Sequence, residues 1–458
     1  MEYSNKNIND FNQAYFIGIG GIGMSAIARY FLSKGWIVGG YDKTPSKLTD
    51  TLQSEGAEIH FEDLGENIPV QFKSTENTLV IYTPAVPKTM NELLFFQANK
   101  YLVMKRAEVL GMITRDSKAL CVAGTHGKTT TSSMLAHILN ESSLKCSAFL
   151  GGISTNFNSN FIGSTKSDLT VIEADEFDRS FLKLTPFASI VTTTDADHLD
   201  IYNDDASFQQ SFQDYADLID NNGYLIHHAN VKLEHKNSIS YGMNCEAHFR
   251  GDNERFEDGK YLIDVKSPQS TWKDLELGLP GTHNAENALA CLALLTHLGM
   301  GESEIRYGLA SFLGVKRRFE YQIRTSNLVF IDDYAHHPTE IKALIDAVKK
   351  LYPNKKITGI FQPHLFSRTR DFFSGFAEQL SRLDQVVLMP IYPAREEPIE
   401  GVTSDALLDK IEAKSKVLLP SEKVLDFIVN KTNEVVLTIG AGDIDRIVEP
   451  LKIRLEEK

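Results

Sequence analysis

Cysteine is scarce in this chain, with only four in 458 residues. Cys121, Cys146, Cys245 and Cys291 lie far apart, and no two of them form a C-x-x-C pair. A secreted disulfide scaffold and a cysteine-based zinc site both need denser, regularly spaced cysteines, so neither is indicated. We expect buried free thiols in a protein of the reducing cytoplasm.

The chain also has few basic residues and no long apolar run. Its 47 Lys and Arg stand against 61 Asp and Glu, and the formal net charge of −14 disfavours non-specific binding to nucleic acid. A small anionic ligand is compatible with this charge, because a local group of Lys and Arg can override the average field. No apolar stretch approaches the ~18 residues of a membrane span, and residues 1–12 lack a signal-peptide core. We therefore expect a cytoplasmic protein without a membrane span.

What the chain does contain is the composition of a folded protein, with 42% hydrophobic and 24% charged residues. At roughly 150 residues per domain, its length suggests about three domains. A β-branched run, a turn with Gly or Asp and an amphipathic stretch recur three times, beginning near Ala14, Lys118 and Leu328. This alternation predicts an α/β fold with parallel sheets covered on both faces. The predicted domains are residues 1–117, 118–318 and 319–458.

Within these domains the hydrophobic spacing predicts individual elements. The first two helices are expected at residues 24–34 and 128–139, and the third domain has a helix that Pro338 opens. From about 230 to 269 the pattern changes to short alternating runs between turn residues, such as Tyr261–Val265. Such runs predict a small antiparallel appendage on the middle domain.

The first glycine-rich turn, Gly18–Gly23, follows a predicted strand and precedes a predicted helix. Gly18, Gly20 and Gly23 satisfy G-x-G-x-x-G, and Asp42 follows at the end of the next predicted strand. Glycines here let the backbone approach a diphosphate that faces the N-terminus of the helix. Taken alone, the fingerprint favours an NAD-linked enzyme, although it does not specify which diphosphate is bound.

The second glycine-rich turn, residues 124–130, is a shortened P-loop between a strand and a helix. Its backbone N–H groups form an anion nest, and Lys128 supplies a positive charge to the β- and γ-phosphates. The hydroxyl of Thr129 or Thr130 is suited to Mg²⁺. Only two residues separate its glycines instead of the usual four. Two phosphate loops predict two phosphorylated ligands that meet between domains, which a simple dehydrogenase does not need.

Acidic clusters follow two further predicted strands, at residues 173–178 and 195–200. Doubly wound sheets bind ligands at the carboxyl ends of their strands, and Mg²⁺ prefers hard oxygen donors. We expect most of these acids to be solvated. Glu173 is the exception, because it directly ends an apolar strand, where an idle carboxylate would be costly. His198 in the second cluster is a candidate for a metal or phosphate role beside the commoner structural one.

Four further polar features are ambiguous by their chemistry alone. Asn284 and Asn287 open an apolar helix, which suits either a base edge or a capped helix start. Residues 332–340 carry two histidines and acids at a strand end, but without cysteine a zinc site is the minor alternative. Residues 316–318 suit a surface hinge. Arg368 suits a bidentate contact with a carboxylate, although a surface salt bridge is the commoner use.

In this order, the motifs closely resemble those of the Mur ligases over nearly the whole chain. They are GIGGIGMSAIA (18–28), KRAE (105–108), GTHGKTTT (124–131), EADEFDRSFL (173–182), DADHLD (195–200), GTHNAEN (281–287), GVKRRFE (314–320), DDYAHHPTE (332–340), FQPHLFSRT (361–369) and GAGDI (440–444). GTHGKT is shared across the family, whereas the opening motif and HHPTE resemble the alanine-adding branch and the murein tripeptide ligases. The GIGGIGM form favours the alanine-adding branch.

The resemblance implies an ATP-dependent ligase that joins L-alanine to the carboxylate of UDP-N-acetylmuramate through an acyl phosphate, giving ADP and phosphate. Such a ligase serves peptidoglycan precursor synthesis, and with it cell wall biogenesis, cell shape and cell division. It would use ATP and Mg²⁺ and act as a monomer or homodimer. Its domains would be a Rossmann-like UDP-binding domain, a central P-loop ATPase-like domain and a C-terminal Rossmann-like domain for the amino acid.

The family pattern, carried onto this sequence, implies four groups of site residues. The UDP-sugar would be bound by Gly18, Gly20, Gly21, Gly23, Asp42, Thr83 and Arg106. ATP would be bound by Gly124, Thr125, His126, Gly127, Lys128, Thr129, Thr130, His283, Asn284, Asn287, Arg318 and Asp333. The metal ligands would be Thr129, Glu173 and His198, and the amino-acid ligands His337, His364 and Arg368. The catalytic residues would be Lys128, His198, His337 and Arg368, and either His198 or His337 would accept the proton of the amine.

Two positions depart from the family pattern. Other Mur ligases carry a carboxylated lysine beyond the position of His198, yet no lysine occurs between His198 and Asn230, which implies a different metal arrangement. Leu365 stands where the family often has arginine, which removes a candidate clamp for the amino-acid carboxylate. The choice among alanine, serine and glycine is therefore left open.

Two other function classes compete with a ligase. An NAD-linked oxidoreductase would use the Gly18–Gly23 turn and would be stabilised by NADH. A nucleotide-switched binding protein would hydrolyse ATP slowly, and it would release phosphate without a sugar or an amino acid.

Overall fold

The protein is described by a computed structural model that covers residues 8–195, 204–394 and 396–458. The chain folds into two compact units, Met1–Leu313 and Gly314–Lys458. Its alternating strands and helices form three sheets, two in the first unit and one in the second, which confirms the predicted α/β fold class. Among the described residues, no helix combines the length and the apolar character needed to cross a lipid bilayer.

The first sheet has five parallel strands in the order β3-β2-β1-β4-β5. Its strands are β1 (Gln13–Ile17), β2 (Ile37–Tyr41), β3 (Glu58–His60), β4 (Thr78–Tyr82) and β5 (Leu102–Lys105), and its helices are α1 (Ile22–Ser33), α2 (Lys47–Ser54), α3 (Asn91–Ala98) and α4 (Arg106–Arg115). Residues 14–17 of β1 are all buried, as expected of a central strand with helices on both faces. The strand order reverses beside β1, so the turn after β1 lies at the switch point where such sheets bind ligands.

The second sheet has ten strands in the order β15-β14-β13-β12-β11-β10-β6-β9-β7-β8. Its strands are β6 (Lys118–Ala123), β7 (Ser147–Ser154), β8 (Ser159–Ile162), β9 (Leu169–Glu173), β10 (Pro186–Val191), β11 (Leu225–His228), β12 (Ser238–Met243), β13 (Phe249–Glu257), β14 (Lys260–Lys266) and β15 (Thr271–Leu277). Its helices are α5 (Lys128–Glu141), α6 (Asp205–Ala216), α7 (Thr282–His297) and α8 (Glu302–Ser311). Every residue of α7 from 287 to 295 is buried, because this helix is apolar on all sides and forms part of the core.

The segment predicted to be an antiparallel appendage is instead continuous with the second sheet. Strand β12 pairs in parallel with both β11 and β13. Within this segment, antiparallel pairing is restricted to β13, β14 and β15, which extend it to Leu277. Tyr241 and Phe249 are buried and carry the core of the sheet into this region. Alternating runs identify strands but do not show which neighbouring strand each one pairs with. The sequence therefore predicted a separate appendage and not an extension of the second sheet.

The third sheet lies in the second unit and has six strands in the order β16-β17-β21-β18-β19-β20. Its strands are β16 (Glu320–Arg324), β17 (Val329–Asp333), β18 (Ile357–Phe361), β19 (Gln385–Leu388), β20 (Ser415–Leu418) and β21 (Val435–Ile439), and its helices are α9 (Pro338–Leu351), α10 (Phe366–Asp371), α11 (Phe373–Leu380), α12 (Ser404–Lys410), α13 (Ser421–Val429) and α14 (Asp445–Glu456). Only β16 is antiparallel to its neighbour. As predicted, Pro338 opens α9, where its missing N–H costs no helical hydrogen bond.

The predicted helix bounds differ slightly from the observed ones. Helix α1 occupies Ile22–Ser33 instead of 24–34, and α5 extends to Glu141 instead of 139. Hydrophobic spacing identifies the body of a helix and does not define its end residues. The boundaries predicted at 117/118 and 318/319 stay predictions.

Three of the four cysteines are buried free thiols, as predicted. Burial raises the pKa of Cys121 and Cys146 to about 12, so both remain protonated at neutral pH. Cys245 corrects the prediction, because it is only partly buried. It follows β12 at the polar end of the strand, where apolar periodicity does not predict the degree of burial.

Candidate active site

The turn after β1 is shaped by contacts with the end of β2. Gly18 has φ +90°, a conformation that favours glycine, and its N–H donates to the carbonyl of Tyr41 at 2.8 Å. The N–H of Gly20 donates to Asp42 Oδ2 at 2.7 Å. Asp42 therefore anchors the turn from the neighbouring strand. The first N–H groups of α1, which have no partner within the helix itself, follow directly, and this local geometry suits a diphosphate.

The other predicted UDP-sugar residues lie against the same turn. A Cβ on Gly18 would lie 2.6 Å from Thr83 Cγ2, and a Cβ on Gly23 would lie 2.9 Å from Arg106 Nη1. Gly21 is exposed at the tip of the turn. The structure thus brings this predicted set together at the switch point of the first sheet, with the Arg106 guanidinium beside the loop.

The second loop places a lysine at the start of α5. Gly124 and Gly127 have φ +127° and φ +82°, so the loop depends on glycine at both positions. Lys128 Nζ donates to the carbonyl of Gly124 at 2.6 Å and pairs with the carboxylate of Glu176 at 2.8 Å. Both contacts hold the ammonium over the loop, close to the N-terminus of α5.

The middle of this loop is attached to the segment that follows β10. The N–H of His126 donates to Thr193 Oγ1 at 3.1 Å, and Thr125 Oγ1 donates to the carbonyl of Asp195 at 2.8 Å. Thr130 lies in the first turn of α5. The predicted metal ligand and catalytic residue His198 lies in the segment 196–203, outside the described residues.

A threonine and a glutamate form the candidate metal site. Thr129 Oγ1 donates to Glu173 Oε1 at 3.2 Å, and the N–H of Gly151 donates to Glu173 Oε2 at 3.1 Å. Glu173 ends β9 next to β6, as the sequence predicted, so its carboxylate meets the P-loop threonine at the edge of the sheet. Both are hard oxygen donors that suit Mg²⁺. Within the described part of the chain, no group of three or more His, Cys, Asp and Glu side chains is arranged to hold a metal.

Among the acids after β9, Glu176 departs from the expected solvation, whereas Asp178 is exposed and Asp175 is partly exposed. The Glu176 side chain is only 2% exposed and pairs with Lys128, a partnership that the sequence did not reveal. Asp175 pairs with Arg106 at 3.3 Å, and Asp178 pairs with Lys105 at 3.1 Å. One acidic segment thus contacts both the lysine of the P-loop and the arginine beside the diphosphate turn. The high density of acidic residues next to Glu173 was the sequence feature that could have indicated these contacts.

The predicted adenine residues are only partly brought to the P-loop. A Cβ on Gly127 would lie 2.9 Å from Asn287 Oδ1, so Asn287 packs directly against the loop. Asn284 is buried, and its Nδ2 donates to the carbonyl of Pro280 at 2.8 Å. That bond belongs to the start of the helix, the alternative that the sequence had left open. His283 is exposed on the first turn of α7.

In the second unit, the predicted nucleotide residue Asp333 shapes the loop that carries Arg318. Its Oδ2 accepts from the N–H of Phe319 at 2.7 Å, and its Oδ1 accepts from the N–H of Ala335 at 2.8 Å. Burial raises the pKa of Asp333 to about 6, and the nearby Arg318 opposes this rise. The guanidinium of Arg318 also lies 5.5 Å from the ring centre of Tyr334. The two predicted residues therefore lie in one network.

Two of the three predicted amino-acid ligands are neighbours. Arg368 Nη1 lies 3.5 Å from His364 Nδ1, and the two residues are four positions apart in the chain. The His364 ring stacks on Tyr392 with ring centres 5.7 Å apart. His337 instead caps α9, where its Nδ1 accepts from the N–H of Thr339 at 3.3 Å.

The sequence missed two supports of this cluster. Glu396 accepts a hydrogen bond from the N–H of Ser367 at 2.9 Å, and Tyr392 supplies the stacking face for His364. Both follow β19, far along the chain from the FQPHLFSRT motif, and a chain segment without a motif of its own gave no signal. Leu365 adopts φ +70°, an unusual conformation for leucine, at the start of α10.

We expect His364 to stay neutral through neutral and mildly acidic pH. Burial, together with the charges of the Arg368 guanidinium and His336, lowers its pKa to about 4. Between pH 6.5 and 4 the unfolded chain then binds a proton that the folded chain does not, so this residue makes stability fall as the pH falls through that range. An NMR titration of imidazole signals should give a midpoint near 4 for the signal that His364→Gln removes. The same variant should flatten the acid side of the stability curve relative to the parent, and a midpoint near 6.5 would contradict the burial argument.

Comparison with protein families and solved structures places these motifs in context. The model described as "Mur ligase family, catalytic domain" matches residues 13–118, "Mur ligase middle domain" matches 122–295, and "Mur ligase, glutamate ligase domain" matches 317–442. The chain is 53% identical over 452 residues to the UDP-N-acetylmuramate–L-alanine ligase of Flavobacterium psychrophilum, covering 99% of this chain and 100% of the relative. It is 50% identical over 451 residues to the enzyme of that name from Parabacteroides distasonis, covering 97% and 98%.

Solved structures agree in fold. The crystal structure of the UDP-N-acetylmuramate-alanine ligase MurC from Thermotoga maritima has a TM-score of 0.84 at 28% identity and covers 97% of this chain and 99% of that chain. The MurF ligase of the same organism, solved in complex with ADP, has a TM-score of 0.60 at 16% identity, covering 93% and 97%. The second likeness concerns the fold alone.

Proposed function

This chain belongs to the Mur ligase family, and from that premise we propose that it joins L-alanine to the carboxylate of UDP-N-acetylmuramate at the expense of ATP, in peptidoglycan precursor synthesis. The observation that carries the proposal is the pairing of two phosphate loops in the first unit. Arg106 lies beside the diphosphate turn, Lys128 belongs to the P-loop, and the acidic segment after β9 contacts both side chains. An NAD-linked oxidoreductase would leave the P-loop without a role.

In this proposal each predicted domain binds mainly one substrate. The domain of residues 1–117 binds the UDP-sugar through the Gly18–Gly23 turn. The domain of residues 118–318 binds ATP, and the domain of residues 319–458 binds the amino acid. All three substrates are small molecules, and we propose that the protein works in the cytoplasm, where UDP-sugars and ATP occur together.

The first chemical step is a phosphoryl transfer. A carboxylate oxygen of the muramoyl group attacks the γ-phosphorus of ATP, the bond from that phosphorus to the β,γ-bridging oxygen breaks, and ADP leaves. Lys128 offsets the negative charge spread over the transferring phosphoryl oxygens. Thr129 and Glu173 would hold Mg²⁺, which neutralises phosphate charge when bound.

The second step forms the amide. The amine nitrogen of L-alanine attacks the acyl carbon, the bond from that carbon to the phosphate oxygen breaks, and inorganic phosphate leaves. Arg368 binds the amino-acid carboxylate, and the neutral His364 beside it adds no second charge. His337 accepts the Thr339 N–H at Nδ1, which leaves its proton on Nε2. This tautomer donates to a carboxylate and favours His198 over His337 as the acceptor of the amine proton.

The decisive assay is release of inorganic phosphate from ATP with each substrate omitted in turn. We expect release only when UDP-N-acetylmuramate and L-alanine are both present, with substitution by serine and glycine as a measure of selectivity. Release from ATP alone would support a nucleotide-switched binding protein instead. In a thermal-shift titration, UDP-N-acetylmuramate should raise the melting temperature and NADH should not.

A further inference from the structure

A single buried side chain joins the helix of the diphosphate turn to the sheet of the P-loop. Asn160 lies on β8 and is fully buried. Its Nδ2 donates to the carbonyl of Ile22 at 2.6 Å and to Ser25 Oγ at 2.8 Å, and its Oδ1 accepts from the guanidinium of Arg29. All three partners lie on α1, and the first of them is its first residue. Both amide hydrogens and the amide oxygen are therefore bonded to one helix of the neighbouring sheet.

The surroundings of Asn160 are apolar. Tyr30 on α1 packs against Phe149 and Phe161, with ring centres 5.5 and 6.1 Å apart, and these two phenylalanines lie on β7 and β8. Aromatic packing of this kind tolerates small sliding movements, whereas a buried amide with three partners is satisfied in only one arrangement. Asn160 thus fixes where the first turn of α1 lies on the β7–β8 hairpin.

The same hairpin reaches the candidate metal site. Strand β7 pairs with β8 and β9, and its Gly151 N–H donates to Glu173, the carboxylate that accepts from Thr129. A continuous set of strand pairings and hydrogen bonds therefore runs from the first turn of α1 to the P-loop. Nothing in this connection requires a loop to move.

We propose that Asn160 is a positioning residue, which holds the diphosphate-binding turn of α1 in register with the P-loop. This inference rests on the proposed function, since the turn must bind a substrate that reacts with ATP. Asn160 touches neither substrate in this scheme. It acts through Ile22 and Ser25, by keeping the start of the helix where the diphosphate meets it.

The test variant is Asn160→Asp, which keeps the size of the side chain and its contact with Arg29 but cannot donate to the Ile22 carbonyl. We expect the Kd of UDP-N-acetylmuramate, measured by calorimetry, and its KM to rise about tenfold, because a buried carboxylate oxygen replaces the amide donor and repels the Ile22 carbonyl. The Kd of Mg·ADP and the KM of ATP should stay within about twofold of the parent. If Asn160 served folding alone, the variant would have a lower melting temperature, but its affinities for the two substrates would not differ in their response.

The chain offers a matched control in the turn of the same hairpin. Asn156 also bonds two backbone groups, donating to the carbonyl of Ser311 at 3.0 Å and accepting from the N–H of Leu313 at 2.8 Å, but neither group belongs to α1. Asn156→Asp should leave the Kd of UDP-N-acetylmuramate unchanged. If Asn160→Asp does not fold, Ser25→Ala tests the same contact by removing its partner on α1. We expect this variant to show a smaller rise in the Kd of UDP-N-acetylmuramate.

The outcomes separate this inference from the function on which it rests. If the parent protein does not bind UDP-N-acetylmuramate, the proposed function and the inference both fail. If the parent binds it and folded Asn160→Asp (or Ser25→Ala, where that variant is needed) binds it equally well, only the inference is overturned. An equal loss of UDP-sugar and Mg·ADP binding would also overturn it, because the position of α1 would not be the property that changed.

Discussion

Lys128→Ala should lower kcat about a thousandfold or more while UDP-N-acetylmuramate still binds with nearly the parent Kd. The lysine ammonium lies over the P-loop at the start of α5, where it would meet the charge that develops on the transferring phosphoryl group. The diphosphate turn is built from separate residues of the first sheet, so its affinity should not depend on Lys128. Phosphate-release kinetics and calorimetry measure the two quantities on the same preparation.

Two controls make this result specific. Lys145 lies just beyond the other end of α5, where its Nζ donates to the carbonyl of Asn140, and Lys145→Ala should retain full turnover. The Lys128 variant also removes the cation beside Glu176, and losing one member of a buried ion pair typically costs about 3–5 kcal/mol of stability. A Lys128→Ala/Glu176→Gln double variant should recover stability but not activity. Turnover in the stable double variant would show that Lys128 has no phosphate role.

The phosphate loops could be predicted from sequence because their geometry is local. Gly18 and Gly124 each follow a buried strand and precede a helix, and both need positive φ, so a few adjacent residues determine the turn. The same is true of Glu173, which ends a strand beside β6 as its position in the sequence indicated. Residues that act through their own neighbours along the chain leave a pattern that can be recognised.

Contacts between distant segments left no such pattern. Asn160 forms hydrogen bonds with a helix that lies more than a hundred residues earlier in the chain. No neighbouring residue in the sequence indicates that a polar side chain is needed at this position. Asn284 and Asn287 look equivalent at the start of α7, yet one bonds the carbonyl of Pro280 and the other packs against Gly127. Burial and tertiary packing decide these roles, and periodicity cannot report which face of a buried helix meets a loop.

Gly151 is a strand glycine that no motif singled out, and we expect Gly151→Ala to reduce kcat about a hundredfold with little loss of stability. A Cβ at this position would overlap both carboxylate oxygens of Glu173. Because those atoms end a flexible side chain, the carboxylate can swing away at small cost to the fold. It would then leave Thr129, and displacement of a metal ligand by about 1 Å is enough for an effect of this size. Steady-state kinetics with varied Mg²⁺ should show a raised Mg²⁺ requirement beside the lower kcat.

Gly163→Ala is the matched control for this substitution. Gly163 follows β8 in the same hairpin, and the nearest atom to its Cβ would be a ring carbon of Phe161 at 3.3 Å, which leaves Glu173 undisturbed. This variant should retain activity within about twofold. If Gly151→Ala kept the parent kcat and Mg²⁺ dependence, the contact between Glu173 and Thr129 could not be the metal site. If both the activity and the melting temperature fell, the substitution would have disturbed the sheet and not only the carboxylate. Rotation of the Glu173 side chain alone leaves the core intact.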